Sequence, residues 1–237
     1  MPAGYQGAIT DSAFLCALQV ADSLFPIGSF SHSYGLETFV HEGVITSAAS
    51  LKEFMLTYVR YVLAHTDCLG VFLTQKYAVV YNFDSIIHLD QLMTALKSSC
   101  ETREASTRMG KAMLNIAQQL LPCPLLEKYT VEVNKGVAHC NHAVVFGLIM
   151  QIIGLPPLQA NLVYLYNTVA SMVSAAIKLV PLGQREGQSV LFSLHPLIIE
   201  TAKKVLELEE RDLGAFTPAL EIRCMAHERL YTRLFMS

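Results

Sequence analysis

No lysine or arginine precedes Lys52. The N-terminal stretch therefore lacks the basic n-region of a secretory signal and the Arg-rich face of a transit peptide, and the expected address is cytoplasmic. The six cysteines, Cys16, Cys68, Cys100, Cys123, Cys140 and Cys224, include no CxxC pair, so reduced and mostly buried thiols are expected. A formal charge of −3 supplies no broad cationic field, which excludes a general nucleic-acid binder. No Asp, Glu, Lys or Arg lies between Lys135 and Lys178. A buried helix pair, not a membrane span, is expected there. The apolar piece 143–155 is short for a bilayer and ends at Pro156-Pro157; the next is interrupted by Asn161, Asn167, Ser171 and Ser174.

Catalytic signatures are missing as well. Gly110-Lys111 lacks the preceding glycine and following Ser/Thr of a phosphate-cradling loop. HExxH is absent, and no Glu stands three residues before a His. No GxSxG elbow supports Ser31-His32-Ser33 as nucleophile and base. His41-Glu42 and His227-Glu228 read as surface polar residues or satisfied core groups. Glu37 and His41 can share a helical face but have no third ligand. The remaining metal candidate is His139, Cys140 and His142, whose imidazoles and thiolate suit Ni or Zn. Three ligands within four residues cannot all share one helical face, so a transient site is the most this cluster offers. The chain reads as a non-enzyme.

What is present is apolar and helical. The chain has 237 residues, 52% of them hydrophobic, enough for one sizeable core. Helical periodicity dominates, no hairpin signal occurs, and no linker divides the chain. The expectation is an all-α, single-domain bundle of about eight to ten helices over residues 11–237, with residues 1–10 loose. Capping pairs Ser50/Glu53 and Ser98/Glu101 predict two helix starts. Pro122 and Pro124 end the second of these helices, while Pro156-Pro157 and Pro181-Leu182-Gly183 bracket a long one. Pro196 fits a first turn. At the C-terminus His227, Leu230, Tyr231, Leu234 and Phe235 have helical spacing beside Arg229 and Arg233. Between the first helices, Pro26, Gly28 and Gly35 among Ser29, Ser31, His32 and Ser33 predict a shaped loop leading into a helix.

That loop belongs to LQVADSLFPIGSFSHSYGLETFVHEGVI, residues 18–45. With RE-AS-MGKAML (103–114), HAVVFGL (142–148), VPLGQREGQ (180–188) and the terminal HERLYTRLFMS, it closely resembles the UreF family of urease accessory proteins. The resemblance implies an all-α homodimer that acts as a nickel-insertion chaperone. It would join UreD (also called UreH) and the GTPase UreG on the urease apoprotein. Nickel and GTP would then act through the partner complex, with no cofactor bound by this chain itself. It further implies partner contacts at Phe30, Ser31, His32, Tyr34 and Glu37 and along a docking tail of Leu230, Tyr231, Arg233, Leu234 and Phe235. Gly183, Gln184, Gly187 and Gln188 would form a turn needing glycine's freedom. Phe30 stands where relatives often carry Tyr, so any role of that hydroxyl is absent. The alternative is a small all-α metal-dependent enzyme using His139, Cys140 and His142.

Overall fold

Proline and hydroxyl caps divide the chain into helices. The computed structural model describes residues 9–236; most of the expected loose segment, residues 1–8, lies outside them. Thr10 is ordered, its hydroxyl accepting the Ala13 N–H at 3.1 Å to cap α1 (Asp11–Ala21). After a 3-10 turn at Ser29–Ser31 come α2 (Leu36–His41) and α3 (Ala48–Thr57). The last runs without a break into a π-helical turn, Tyr58–Val62, and a 3-10 turn, Leu63–His65. Then follow α4 (Asp67–Val79), α5 (Phe83–Ala95), α6 (Cys100–Leu120), α7 (Pro124–Asn134) and α8 (His142–Ile152). The remainder is α9 (Pro157–Leu179), α10 (Gln184–Ser193), α11 (His195–Val205), a 3-10 turn at Glu210–Asp212 and α12 (Pro218–His227). The fold is all-α, with no strand and twelve α-helices among the described residues, rather than eight to ten.

The breakers act where expected. α6 stops before Pro122, Pro124 opens α7, and Pro156-Pro157 and Pro181 bracket α9. Both predicted caps shift. Ser47, not Ser50, caps α3 in a reciprocal pair with Ser50, because Ser50 already occupies the third helical position. Ser99 caps α6 through Thr102 N–H, which frees Ser98 to bond Glu221 and turns Glu101 toward the C-terminal segment.

α8 is the centre of the molecule. Every residue from His142 to Met150 is buried, chiefly against α4 and α6. A helix apolar all round needs protein on every side. Its entry is fixed by Asp90 of α5, a fully buried carboxylate that accepts the N–H groups of His139, Cys140 (3.2 Å) and Asn141 (2.7 Å) and the Tyr129 hydroxyl (3.0 Å). Those bonds hold Cys140 at φ 69°, a left-handed conformation rare outside glycine. The expected fully buried helix pair is half correct. α9 buries Ala160, Tyr164, Leu165, Val169, Met172, Val173 and Ala176 but leaves Tyr166 exposed and Leu162 and Val163 partly so. It is long and apolar enough to cross a membrane by length and composition, and packs here on α1, α4, α10 and α11.

The glycine turn at 183–188 is also corrected. Gly183 alone lies in the turn, with φ −73° as the cap residue; Gln184, Gly187 and Gln188 are inside α10. Gly187 is there for space, since a Cβ would stand 2.4 Å from Ile177 Cδ1 of α9. At Gly183 nothing lies within 4 Å. Gly187→Val is expected to cost about 1–3 kcal/mol by overpacking, a loss of roughly 2–12 °C in Tm. Gly183→Val should stay within about 0.5 kcal/mol of wild type. Thermal melts of both variants check this, and equal melting would contradict it.

Candidate partner-docking site

The N-terminal loop and the C-terminal segment, far apart in sequence, form one structure. α1 ends at Ala21, Phe25 and Ile27 turn into the core, and Gly28 at φ 77° starts the 3-10 turn that the Ser31 hydroxyl closes onto the Gly28 carbonyl at 2.7 Å. Gly35 caps α2 at φ 84°, and a Cβ there would meet Cys224 Sγ of α12 at 2.8 Å. Only glycine both adopts this φ and lets α12 approach so closely. Thr38 Oγ1 donates to the Arg223 carbonyl at 3.0 Å, and Arg223 Nε donates to Glu42 at 2.7 Å.

This approach brings Glu37 inside. Its carboxylate accepts the backbone N–H of Leu234 at 2.6 Å and of Phe235 at 3.1 Å. The same carboxylate lies 2.9 Å from His227 Nε2, while His227 Nδ1 lies 2.6 Å from Glu101. Arg233 donates to the other Glu101 oxygen at 2.6 Å. His227 is fully buried, with a carboxylate oxygen against each ring nitrogen. The Arg233 guanidinium, 41% exposed, closes the Glu101 side from the surface, so each buried polar group here has a partner. Met236 N–H then donates to the Ser31 carbonyl at 2.8 Å.

The tail is therefore not the predicted helix. α12 stops at His227, and the Glu37 carboxylate takes amides that a helix would have used internally. Phe235 is buried, whereas Tyr231, Leu234 and Met236 are exposed, as is Phe30 of the loop. Of the other candidate contacts, Ser31 is partly buried, and His32, Tyr34 and Glu37 turn inward. Burial, with Arg108 nearby, lowers the His32 pKa to about 4, and the Tyr34 hydroxyl reaches Met109 Sδ at 3.7 Å. His32, Glu37 and Tyr34 thus shape the surface from below, leaving Phe30 and the tail side chains to present it. A groove of about 430 Å³ runs beside the tail between Arg108, Glu104 and Arg233.

The candidate metal cluster is not assembled. His139 is exposed, while Cys140 and His142 are buried, with the thiol pushed up to about 12 and the imidazole down to about 4, in each case chiefly by burial. The physical reason is the Asp90 clamp, which orders this segment through its backbone, and His142 Nδ1 faces the Tyr164 hydroxyl at 3.3 Å. No group of three or more His, Cys, Asp or Glu able to hold a metal occurs among the described residues. Glu37 and His41 likewise part company, Glu37 inward and His41 exposed. Sequence reasoning missed Asp90 and Asn141 altogether and gave Glu101 only a capping role. A lone acid within an apolar helix face, as at Asp90, was the available signal.

Helices closed around one buried helix, with a C-terminal segment bonded back against the N-terminal loop and α2, define an all-α protein. The UreF family profile matches residues 45–195. The chain is 36% identical over 223 residues to the urease accessory protein UreF of Bacillus sp. (strain TB-90), covering 94% of this chain and 98% of that protein. It is 34% identical over 224 residues to UreF of Streptococcus thermophilus (strain ATCC BAA-491 / LMD-9), covering 94% of each. Identity to UreF of Actinobacillus pleuropneumoniae serotype 5b is 35% over 222 residues, covering 93% of this chain and 97% of that protein. The chain belongs to the UreF family of urease accessory proteins.

Replacing His227 by Leu would leave Glu37 and Glu101 facing each other across the buried site without a donor between them. The expected cost is about 3–5 kcal/mol, lowering Tm by roughly 6–20 °C. Differential scanning calorimetry checks it, and a change below about 1 °C would show that the network carries no stability.

Proposed function

We propose that this chain is a non-catalytic scaffold of urease maturation in the cytoplasm. It acts as a homodimer that binds UreD (UreH) and recruits the GTPase UreG to the urease apoprotein for GTP-dependent loading of nickel. Nickel and GTP act through the partners, and the chain holds no cofactor of its own. The observation that supports this reading is the composite surface. Leu234, Met236 and Phe30 are exposed where Glu37 and Ser31 tie the backbone down, and Tyr231 is exposed earlier in the tail. Large side chains held outward on an ordered backbone favour docking, because little conformational entropy remains to be lost on binding.

Deleting residues 230–237 should leave a folded helical protein that no longer captures UreD, and with it UreG and urease activation are lost. Arg233→Ala, which removes a partly solvated guanidinium from the Glu101 end of the lock, should weaken capture by about 1 kcal/mol or less. Circular dichroism beside a pull-down with UreD reads both. A truncated chain that captures UreD and UreG at wild-type levels would overturn the assignment of the tail.

The homodimer reading draws on a second surface. α1 packs on α9, and its outer face exposes Phe14, Leu15 and Leu18 near the half-exposed apolar face of α9. This joins the start of the N-terminal signature to the uncharged stretch. Light scattering should give a dimer at micromolar concentration, and Leu15→Glu should give a folded monomer. A wild-type monomer would refute the dimer, and an unchanged Leu15→Glu dimer would move the interface elsewhere.

A further inference from the structure

The rod that begins as α3 and ends as α4 is broken in its middle. The π-helical turn Tyr58–Val62 and the 3-10 turn Leu63–His65 interrupt it, and Thr66, at φ −121° and ψ −99°, lies outside the helical region. Stretches of 3-10 helix inside a longer helix mark functional hinges, and π-turns recur at functional sites. In an unbroken α-helix the N–H groups of Asp67, Cys68 and Leu69 would donate to the carbonyls of Leu63, Ala64 and His65. Among the described residues none of the three donates to an acceptor outside α4, and the Thr66 side chain does not cap them. Its hydroxyl donates instead to the Val62 carbonyl at 2.8 Å. Cys68 and Leu69 are fully buried, and buried amides without partners are rare because each forfeits its hydration.

The segment between α11 and α12 holds the break open. The Gly214 N–H donates at 2.8 Å to the His65 carbonyl, the group that the Leu69 N–H would otherwise use. His65 Nδ1 lies 3.2 Å from the Asp212 carbonyl oxygen, so the same residue grips this strap twice. Gly214 reaches its place at φ 109°, a backbone conformation that side chains resist. Upstream, the Tyr77 hydroxyl donates to Glu210 and ties the start of the strap to α4. A helical carbonyl points along the axis at the amide four residues on, so the His65 carbonyl serves either the helix or the strap. With the strap bound, three amides go unpaired; with the helix closed they are paired and the strap loses its grip from Asp212 onward.

We infer that residues 58–66 form a two-state hinge, in which the broken helix gripped by Gly214 alternates with a continuous α3–α4 helix that pairs Leu69 with His65 and releases residues 212–217. The effect reaches the C-terminal segment, because α12 begins at Pro218, four residues after Gly214. It also reaches a cavity of about 110 Å³ beneath α12, walled in part by Tyr58, Val62 and Thr66 of the hinge and by Ala215 and Thr217 of the strap. The hinge is separate from the docking surface and does not depend on the scaffold role.

The test is backbone NMR with amide hydrogen exchange on the full chain, comparing wild type with Gly214→Ala. A Cβ at this position stands an ordinary 3.4 Å from Leu96 Cδ2, so the substitution acts on the strap backbone and not on packing. It should move the balance toward the continuous helix by about fivefold or more. The expected result is helical Cα shifts at residues 63–66 and a Leu69 amide protected at least about fivefold better than in wild type. The amides of residues 213–217 should exchange faster, with the α8 amides unchanged. Thr66→Ala, which removes the Val62 bond and raises helix propensity, should act in the same direction and serves if Gly214→Ala does not fold. A strap freed while residues 63–66 stay non-helical, strap amides that remain protected, or an unchanged Leu69 amide in whichever variant folds would overturn the inference.

Discussion

An ionised carboxylate removed from water must collect hydrogen-bond donors, and this constraint organises the molecule in two places. Asp90 gathers three consecutive backbone N–H groups and a tyrosine hydroxyl, and so fixes the chain where it enters α8. Glu37 gathers two consecutive N–H groups and a histidine, and so fixes the chain where it ends. In both cases the acid sits on a helix laid down early in the sequence and captures a segment from much later. The first capture builds the core. The second builds a surface, because pinning the backbone of Leu234 and Phe235 sends Phe235 inward and Leu234 outward.

This division explains which features were legible in the sequence. Proline positions and apolar periodicity are local properties, and the end of α6, both limits of α9 and the start of α11 follow from them closely; α11 stops at Val205, well before the expected limit at Gly214. The caps of α3 and α6 moved by three residues and one residue because several hydroxyls stand in a row, and packing decides which of them becomes the cap. Gly187 looked like a turn residue from its neighbours, yet its reason is Ile177 on another helix. The tail misled most. Its spacing is helical, but the Glu37 carboxylate outcompetes the helix for its amides, and nothing local to residues 228–236 reveals an acid two hundred residues away. The same holds for His139, Cys140 and His142, where ligand types suggested a metal and the Asp90 clamp imposes a backbone that separates them.

Family membership was legible because the N-terminal loop, the Gly110 segment, the α8 stretch, the α10 start and the tail occur in order. The structure adds a physical account of why two of those segments belong together. The loop supplies Ser31 and the helix it leads into supplies Glu37, and the tail supplies the N–H groups they bind. The candidate contacts then separate into two kinds. Glu37, His32 and Tyr34 support the surface, whereas Phe30, Tyr231, Leu234 and Met236 present it.

The central claim is that Glu37 acts as an internal anchor for the tail and does not itself reach toward a partner. Amide hydrogen exchange of Leu234 and Phe235 in the isolated protein tests it most directly, compared between wild type and Glu37→Ala. The account predicts protection of at least about a hundredfold in wild type, lost in the variant while the α8 amides remain protected. Unprotected Leu234 and Phe235 amides in wild type, or protection that survives removal of the carboxylate, would contradict it.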